Sequence, residues 1–194
     1  MKISAAHRIL AVTAVCAVIL VGFVINEGAA RANGQEVLLP VEGADPRDLL
    51  SGHYIQLAFN RRLEPGEACP PSQDGEWAAL RPRGDIYIVA GGARSRAEVE
   101  QIGPLTVKAR YMCSSSLPAS NKDVPETPGW VRLDPNIDRF YVSQIEALRI
   151  ERALAAQRND SSQHVLAIVS VGHDGLARLK GLVIDNQRLE LNWL

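Results

Sequence analysis

The stretch Asp45-Pro46-Arg47-Asp48-Leu49-Leu50-Ser51-Gly52-His53-Tyr54-Ile55-Gln56-Leu57-Ala58-Phe59 decides the fold. Pro46 fixes φ at the second position of a turn whose first position is Asp, so residues 45–48 read as a rigid, charged turn. Gly52 then opens a strand. Over residues 53–60, Ile55, Leu57 and Phe59 fall on one face and Tyr54, Gln56 and Ala58 on the other. That period of two is the mark of a half-buried strand. Such a strand needs neighbours, and the rest of the chain supplies them.

Upstream, residues 36–41 predict a strand that Pro40 confines to an edge or an end. Downstream, residues 61–84 hold four Pro and three Gly and read as a loop pinned at Cys69. Residues 85–90 predict a strand ended by Gly91-Gly92, residues 105–112 another, residues 114–129 a second loop, and residues 139–142 a short strand. Residues 143–157 predict the single soluble helix. Ser143 stands at an N-cap position with Glu146 three residues on, and Ile145, Leu148, Arg149 and Arg152 follow at helical spacing. Ala153 and Leu154 continue the apolar side. Strands over residues 165–171, 176–184 and 187–191 close the chain. His173-Asp174-Gly175 joins the first two as a strong hairpin signal, and Asp185-Asn186 joins the last two.

The amino terminus is of another kind. Residues 9–25 carry no charge, and as a helix they reach roughly 25 Å, within the range of a membrane span. Lys2 and Arg8 precede the run, which keeps residues 1–8 cytoplasmic and sends the remainder outward. Two readings stand open: a retained signal-anchor, or a signal peptide cleaved after Ala30-Arg31-Ala32. The length of the run favours the anchor, with residues 26–35 as a linker and residues 36–194 as an extracytoplasmic domain. Cys16 lies inside the run as a small apolar residue. In an oxidising compartment the remaining pair, Cys69 and Cys113, reads as one disulfide, the alternative being two buried thiols.

Hydrophobic residues at 46 % and charged residues at 22 % suit a packed soluble domain. Without residues 1–32 the chain keeps 18 basic and 21 acidic residues, a net charge of −3. An acidic domain with no Lys/Arg run lacks the electrostatic footprint of a nucleic-acid binder.

Several of these pieces together resemble the GDYXXLXY family of bacterial membrane-anchored proteins. The residues are the Asp45-Pro46-Arg47-Asp48 turn with Ser51-Gly52-His53-Tyr54-x-x-Leu57-x-Phe59, then Arg139-Phe140-Tyr141-Val142 before a helix, and the closing Asp174–Leu182 hairpin. The similarity runs in the family's order over most of residues 36–191. His53 stands where the family has Asp, and Phe59 where it has a second Tyr. The resemblance implies an inner-membrane location with one pass through residues 9–25. It also implies a neighbouring multi-pass membrane protein as partner, and it carries no assigned activity and no cofactor.

Candidate site residues are Asp45, Arg47, Asp48, His53, Tyr54, Arg139 and Tyr141. The Asp45/Asp48 pair has the chemistry of acid/base work and equally that of turn residues bonding backbone amides. Tyr54, Arg139 and Tyr141 fit either a polar groove or a solvated strand face. His53, His164 and His173 are isolated imidazoles, so no metal-ligand set is visible. The sequence thus predicts a mainly β domain with one packed helix, an antiparallel sandwich or barrel, behind a single transmembrane helix. Its expected role is non-catalytic support of a membrane partner. The alternatives are an anchored hydrolase of signal-peptidase type, using Ser51 with Lys108 or the Asp pair, and a periplasmic ligand sensor.

Overall fold

The computed structural model of the chain describes residues 5–43, 54–72, 74–115, 128–137, 139–142, 144–159 and 165–190. Helix α1 spans Ala5–Asn33, far beyond the apolar run, and the segment read as a linker is helical to its last residues. At 1.5 Å per residue α1 measures roughly 44 Å, against about 30 Å for a hydrocarbon core. Its side chains are exposed from residue 6 to residue 29, with Val12, Val18, Phe23 and Val24 all open. An apolar helix exposed on every side matches a lipid environment rather than a protein core.

Strand β1 (Gln35–Pro40) begins almost at once. Gly34 makes the join possible. A Cβ there would collide with Ser170 Oγ and lie 2.9 Å from the Val171 carbonyl, so any side chain would push this junction away from the neighbouring strand of residues 166–171.

The other elements are β2 (Glu42–Gly43), β3 (Tyr54–Arg62), β4 (Trp77–Arg83), β5 (Ile86–Ala93), α2 (Arg96–Val99), β6 (Leu105–Lys108) and β7 (Arg110–Ser114). They continue with β8 (Trp130–Asp134), β9 (Arg139–Tyr141), α3 (Gln144–Asn159), β10 (Leu166–Val171), β11 (Ala177–Ile184) and β12 (Gln187–Glu190). The strands form three antiparallel sheets: β1-β10-β11-β12, β2-β3-β8-β7 with β9 also on β3, and β5-β4-β6. Every sheet contributes to one core, through Val37 and Leu39 of β1, Leu57 and Phe59 of β3, Leu80 of β4, Val131 and Leu133 of β8, and Val169 and Leu182 of the closing hairpin. The mainly β architecture with a packed helix is as the sequence predicts.

Four readings are corrected. Residues 61–84 are not one loop, because they contain β4, whose Ala78, Ala79 and Leu80 are completely buried. Gly91-Gly92 do not end β5, which runs on to Ala93. A Cβ at Gly92 would stand 2.6 Å from the Tyr111 ring, so the glycine is there to let that ring in. Residues 105–112 are two strands, divided at the buried Ala109, with β6 on β4 and β7 on β8. Residues 143–157 are not the only soluble helix, since α2 is capped by Ser95 and Glu98 in a reciprocal capping box.

Helix α3 also presents a different face from the expected one. Ala147, Ile150 and Leu154 are buried, while Ile145 and Leu148 are exposed. Apolar residues surround this helix, and the sheet it meets selects the stripe. Its proposed cap at Ser143 lies outside the described residues.

The stretch between β3 and β4 is tied down along its length. Cys69 is disulfide-bonded to Cys113 of β7, as expected. Tyr111 donates its hydroxyl to the Pro70 carbonyl at 2.7 Å, and the Gly92 amide donates to the Pro71 carbonyl at 3.0 Å. Arg61 clasps the Glu67 carboxylate with two bonds of 2.8 and 2.7 Å, and the Glu64 amide adds a third at 3.0 Å. The Arg61 bonds above all, with the Glu64 amide and the nearby charges, hold the Glu67 carboxyl at about 2, well below its usual 4.5. A depressed folded-state value means the unfolded chain binds the proton more readily. Its contribution is therefore complete above about pH 4.5 and lost as pH falls toward 2. Glu67→Gln is expected to remove ~2 kcal/mol of acid-dependent stability, read as a shallower loss of denaturation midpoint between pH 5 and 2.5.

The closing hairpins agree with the sequence. Gly175 adopts φ +77° in the turn before β11, and Asp185 and Asn186 both take positive φ between β11 and β12, at 49° and 61°. Two successive residues at positive φ match the twist of a tight hairpin.

Candidate functional site

Strand β3 is the hub of the five-stranded sheet. Its first half pairs with β9, in register Tyr54↔Tyr141 and Gln56↔Arg139, and its second half pairs with β8, from Phe59↔Leu133 to Arg62↔Trp130. β8 and β9 thus act as one interrupted strand, broken where Asn136 takes φ +59°. Of the predicted site residues, the ladder brings Tyr54, Tyr141 and Arg139 onto adjoining register positions. Asp45, Arg47, Asp48 and His53 lie outside the described residues, as do Ser51 and His164. Lys108 ends β6 with its ammonium half-exposed and 3.9 Å from Glu76, a setting unlike the buried environment that a general-base lysine uses.

The inner face of β3 and β8 carries Leu57, Phe59, Val131 and Leu133 into the core. The outer face carries Asn60 and Arg62 of β3, Trp130 and Arg132 of β8, and Met112 of β7. The register sets Asn60 opposite Arg132, Arg62 opposite Trp130, and Met112 opposite Arg132. Glu42, Asn60, Arg62, Pro128, Trp130 and Arg132 line a groove of about 490 Å³. A second hollow of about 360 Å³ adjoins it through Arg132 and reaches Met112, Tyr111 and Trp77.

Charges at the groove's rims are engaged. Asn60 donates its amide to Glu42 at 3.2 Å, and Arg110 pairs with Asp134 at 3.4 Å. Among the described residues, the guanidinium groups of Arg62 and Arg132 have no ion-pair partner. An indole between two such cations offers an anion both charge and an apolar surface. Sequence reasoning missed Arg62, Trp130 and Arg132. The alternation Trp130-Val131-Arg132-Leu133-Asp134 was the available signal, standing directly behind a Pro- and Ser-rich stretch.

A second charged cluster ties α1 to the domain. Arg178 of β11, with only 9 % of its side chain exposed, pairs through Nε with Glu27 at 2.5 Å and through Nη2 with Asp174 at 2.9 Å. Its Nη1 also donates to the Leu176 carbonyl at 3.3 Å. The Asp174 carboxyl is held below its usual range, first by the Arg178 bonds and further by the Leu176 amide. Arg31 on the next turn of α1 donates to the Lys180 carbonyl at 3.1 Å. Removing Arg178 deletes several charge-assisted bonds whose carboxylate partners are half-exposed and can rehydrate. Arg178→Ala is therefore expected to cost about 2 kcal/mol and to open residues 28–34 to limited proteolysis in detergent.

An apolar helix long enough to cross a bilayer, running directly into an antiparallel β domain, has the build of a membrane-anchored module. The chain belongs to the GDYXXLXY family, whose family model, described as GDYXXLXY protein, matches residues 16–182. Neither comparison with curated proteins nor comparison with solved structures gives a match.

Proposed function

We propose that this chain is a non-catalytic module, held on the extracytoplasmic side of a bacterial inner membrane by residues 9–25, that binds or supports a multi-pass membrane partner. One observation carries the reading: α1 leaves its apolar run and enters the domain without a flexible linker. Glu27, two residues beyond the apolar run, is clamped to Arg178, and Arg31 is bonded to β11. A domain held this way keeps a fixed orientation at the lipid surface. A fixed orientation favours binding to a neighbour in the same membrane, because little rotational freedom is left to be lost on association. The positive charges ahead of the apolar run support an outward-facing domain.

The test is purification of the tagged full-length chain from its host's membranes in mild detergent, with companions identified by mass spectrometry. The reading expects a stoichiometric multi-pass protein that withstands washing at moderate salt. A chain recovered alone from membranes, in repeated purifications with chemical cross-linking beforehand, would overturn it.

A further inference from the structure

We infer that the groove on the outer face of the β3–β8–β7 sheet receives an extended, acidic segment of a partner protein, with carboxylates two residues apart. The inference rests on the proposed function for the presence of a partner, and adds which surface meets it and what chemistry it recognises.

Spacing comes first. Arg62 faces Trp130 across the ladder, and Arg132 lies two residues further along β8, so the two guanidinium stems are diagonal neighbours. Diagonal positions on adjacent strands stand roughly 7–8 Å apart. Side chains on one edge of an extended polypeptide repeat at about 6.8 Å, two residues at 3.4 Å each. Two acidic residues at i and i+2 therefore meet the two arginines in step.

Charge comes second. Among the described residues these are the groove's unpaired cations; Glu42, bonded to the Asn60 amide, lines the groove beside them, while Asp134, paired with Arg110, and Asp74 line the adjoining hollow. Planar guanidinium groups bind carboxylates with two parallel bonds.

The apolar element comes third. Trp130 is 40 % exposed and Met112 is 53 % exposed. They too are diagonal neighbours, one on β8 and one on β7. Together they give an apolar strip that runs alongside the cationic pair, suited to an apolar residue beside the two acids. Length fits as well. The main groove and the adjoining hollow share Arg132 and continue along the sheet, which is the form of a track for a strand-like segment rather than a closed pocket for a small molecule.

The experiment uses the full-length chain in its native membrane, with photoreactive benzoylphenylalanine in place of Met112. Cross-linked peptides are identified by mass spectrometry after irradiation. The expected product is a peptide of another protein with Asp or Glu at two alternate positions. Its yield should fall about tenfold or more in the Arg62→Glu/Arg132→Glu variant and persist in Arg62→Lys/Arg132→Lys. Resistance to limited proteolysis equal to that of the unmodified chain certifies that each variant folds.

Cross-links to this chain's own residues, to a segment without paired acids, or to one indifferent to charge reversal would overturn the inference. So would the absence of any cross-link. If a companion still co-purifies in that last case, the groove assignment alone fails. If none does, the partner reading fails with it.

Discussion

Leu80→Ala is expected to lower the stability of the folded chain by about 3–5 kcal/mol, seen as a fall in denaturation midpoint at unchanged m-value. Leu80 is fully buried on β4, the middle strand of its sheet, opposite Val89 of β5 and Leu105 of β6. Neighbours on both sides are held by strand ladders, so they cannot collapse into the space a leucine leaves. The cavity then adds its own penalty to the lost transfer energy. Arg81→Ala, one residue along on the exposed side of the same strand, is expected to change stability by less than about 0.5 kcal/mol. If residues 61–84 were a loop, the two substitutions would behave alike.

Exchanging both Cys69 and Cys113 for Ala is expected to cost about 3–4 kcal/mol. The bridge spans 44 residues of sequence, and the chain-entropy argument assigns a loop of that size about 4 kcal/mol. Nearby bonds remain. Tyr111 to Pro70, Gly92 to Pro71 and the Arg61–Glu67 clasp still hold the β3–β4 connection, so the variant folds but melts early. Urea denaturation of the double variant, beside the unmodified chain with and without reductant, checks this. Reductant should move the unmodified chain to the variant's midpoint and leave the variant where it is.

Leu80 and the bridge also mark the two extremes of what the sequence made readable. Strand β3 announced itself because a buried face alternates with an open one, and Leu57 and Phe59 duly point inward. The closing hairpins announced themselves through Asp174-Gly175 and Asp185-Asn186, where backbone conformation restricts the residue types. The bridge was legible from compartment and cysteine number. By contrast β4 was hidden by its own composition. Pro82 near its end and four Pro in the wider segment signal a loop, while Ala78 and Ala79 give too little hydrophobic contrast to declare a strand.

The same holds for the glycines of β5, which resemble a strand end until the Tyr111 ring is seen to need the space. The extent of α1 was illegible for a different reason. Residues 26–33 are polar and small, and what makes their helical turns part of the domain is a pairing of Glu27 with Arg178, 151 residues away. Candidate site residues were legible only as positions on β3 and β9. The groove depends on β8, whose short alternation sat behind a stretch read as loop.

A retained and docked α1 is what the proposed function stands on. The measurement is extraction of the host's membranes with alkaline carbonate, then sequencing of the amino terminus of the chain that remains. A docked anchor predicts a chain that stays with the membrane and still begins at Met1 or Lys2, with Glu27 and Arg31 in place against β11. A chain released into the soluble fraction and beginning at Asn33, just past Ala30-Arg31-Ala32, would contradict it.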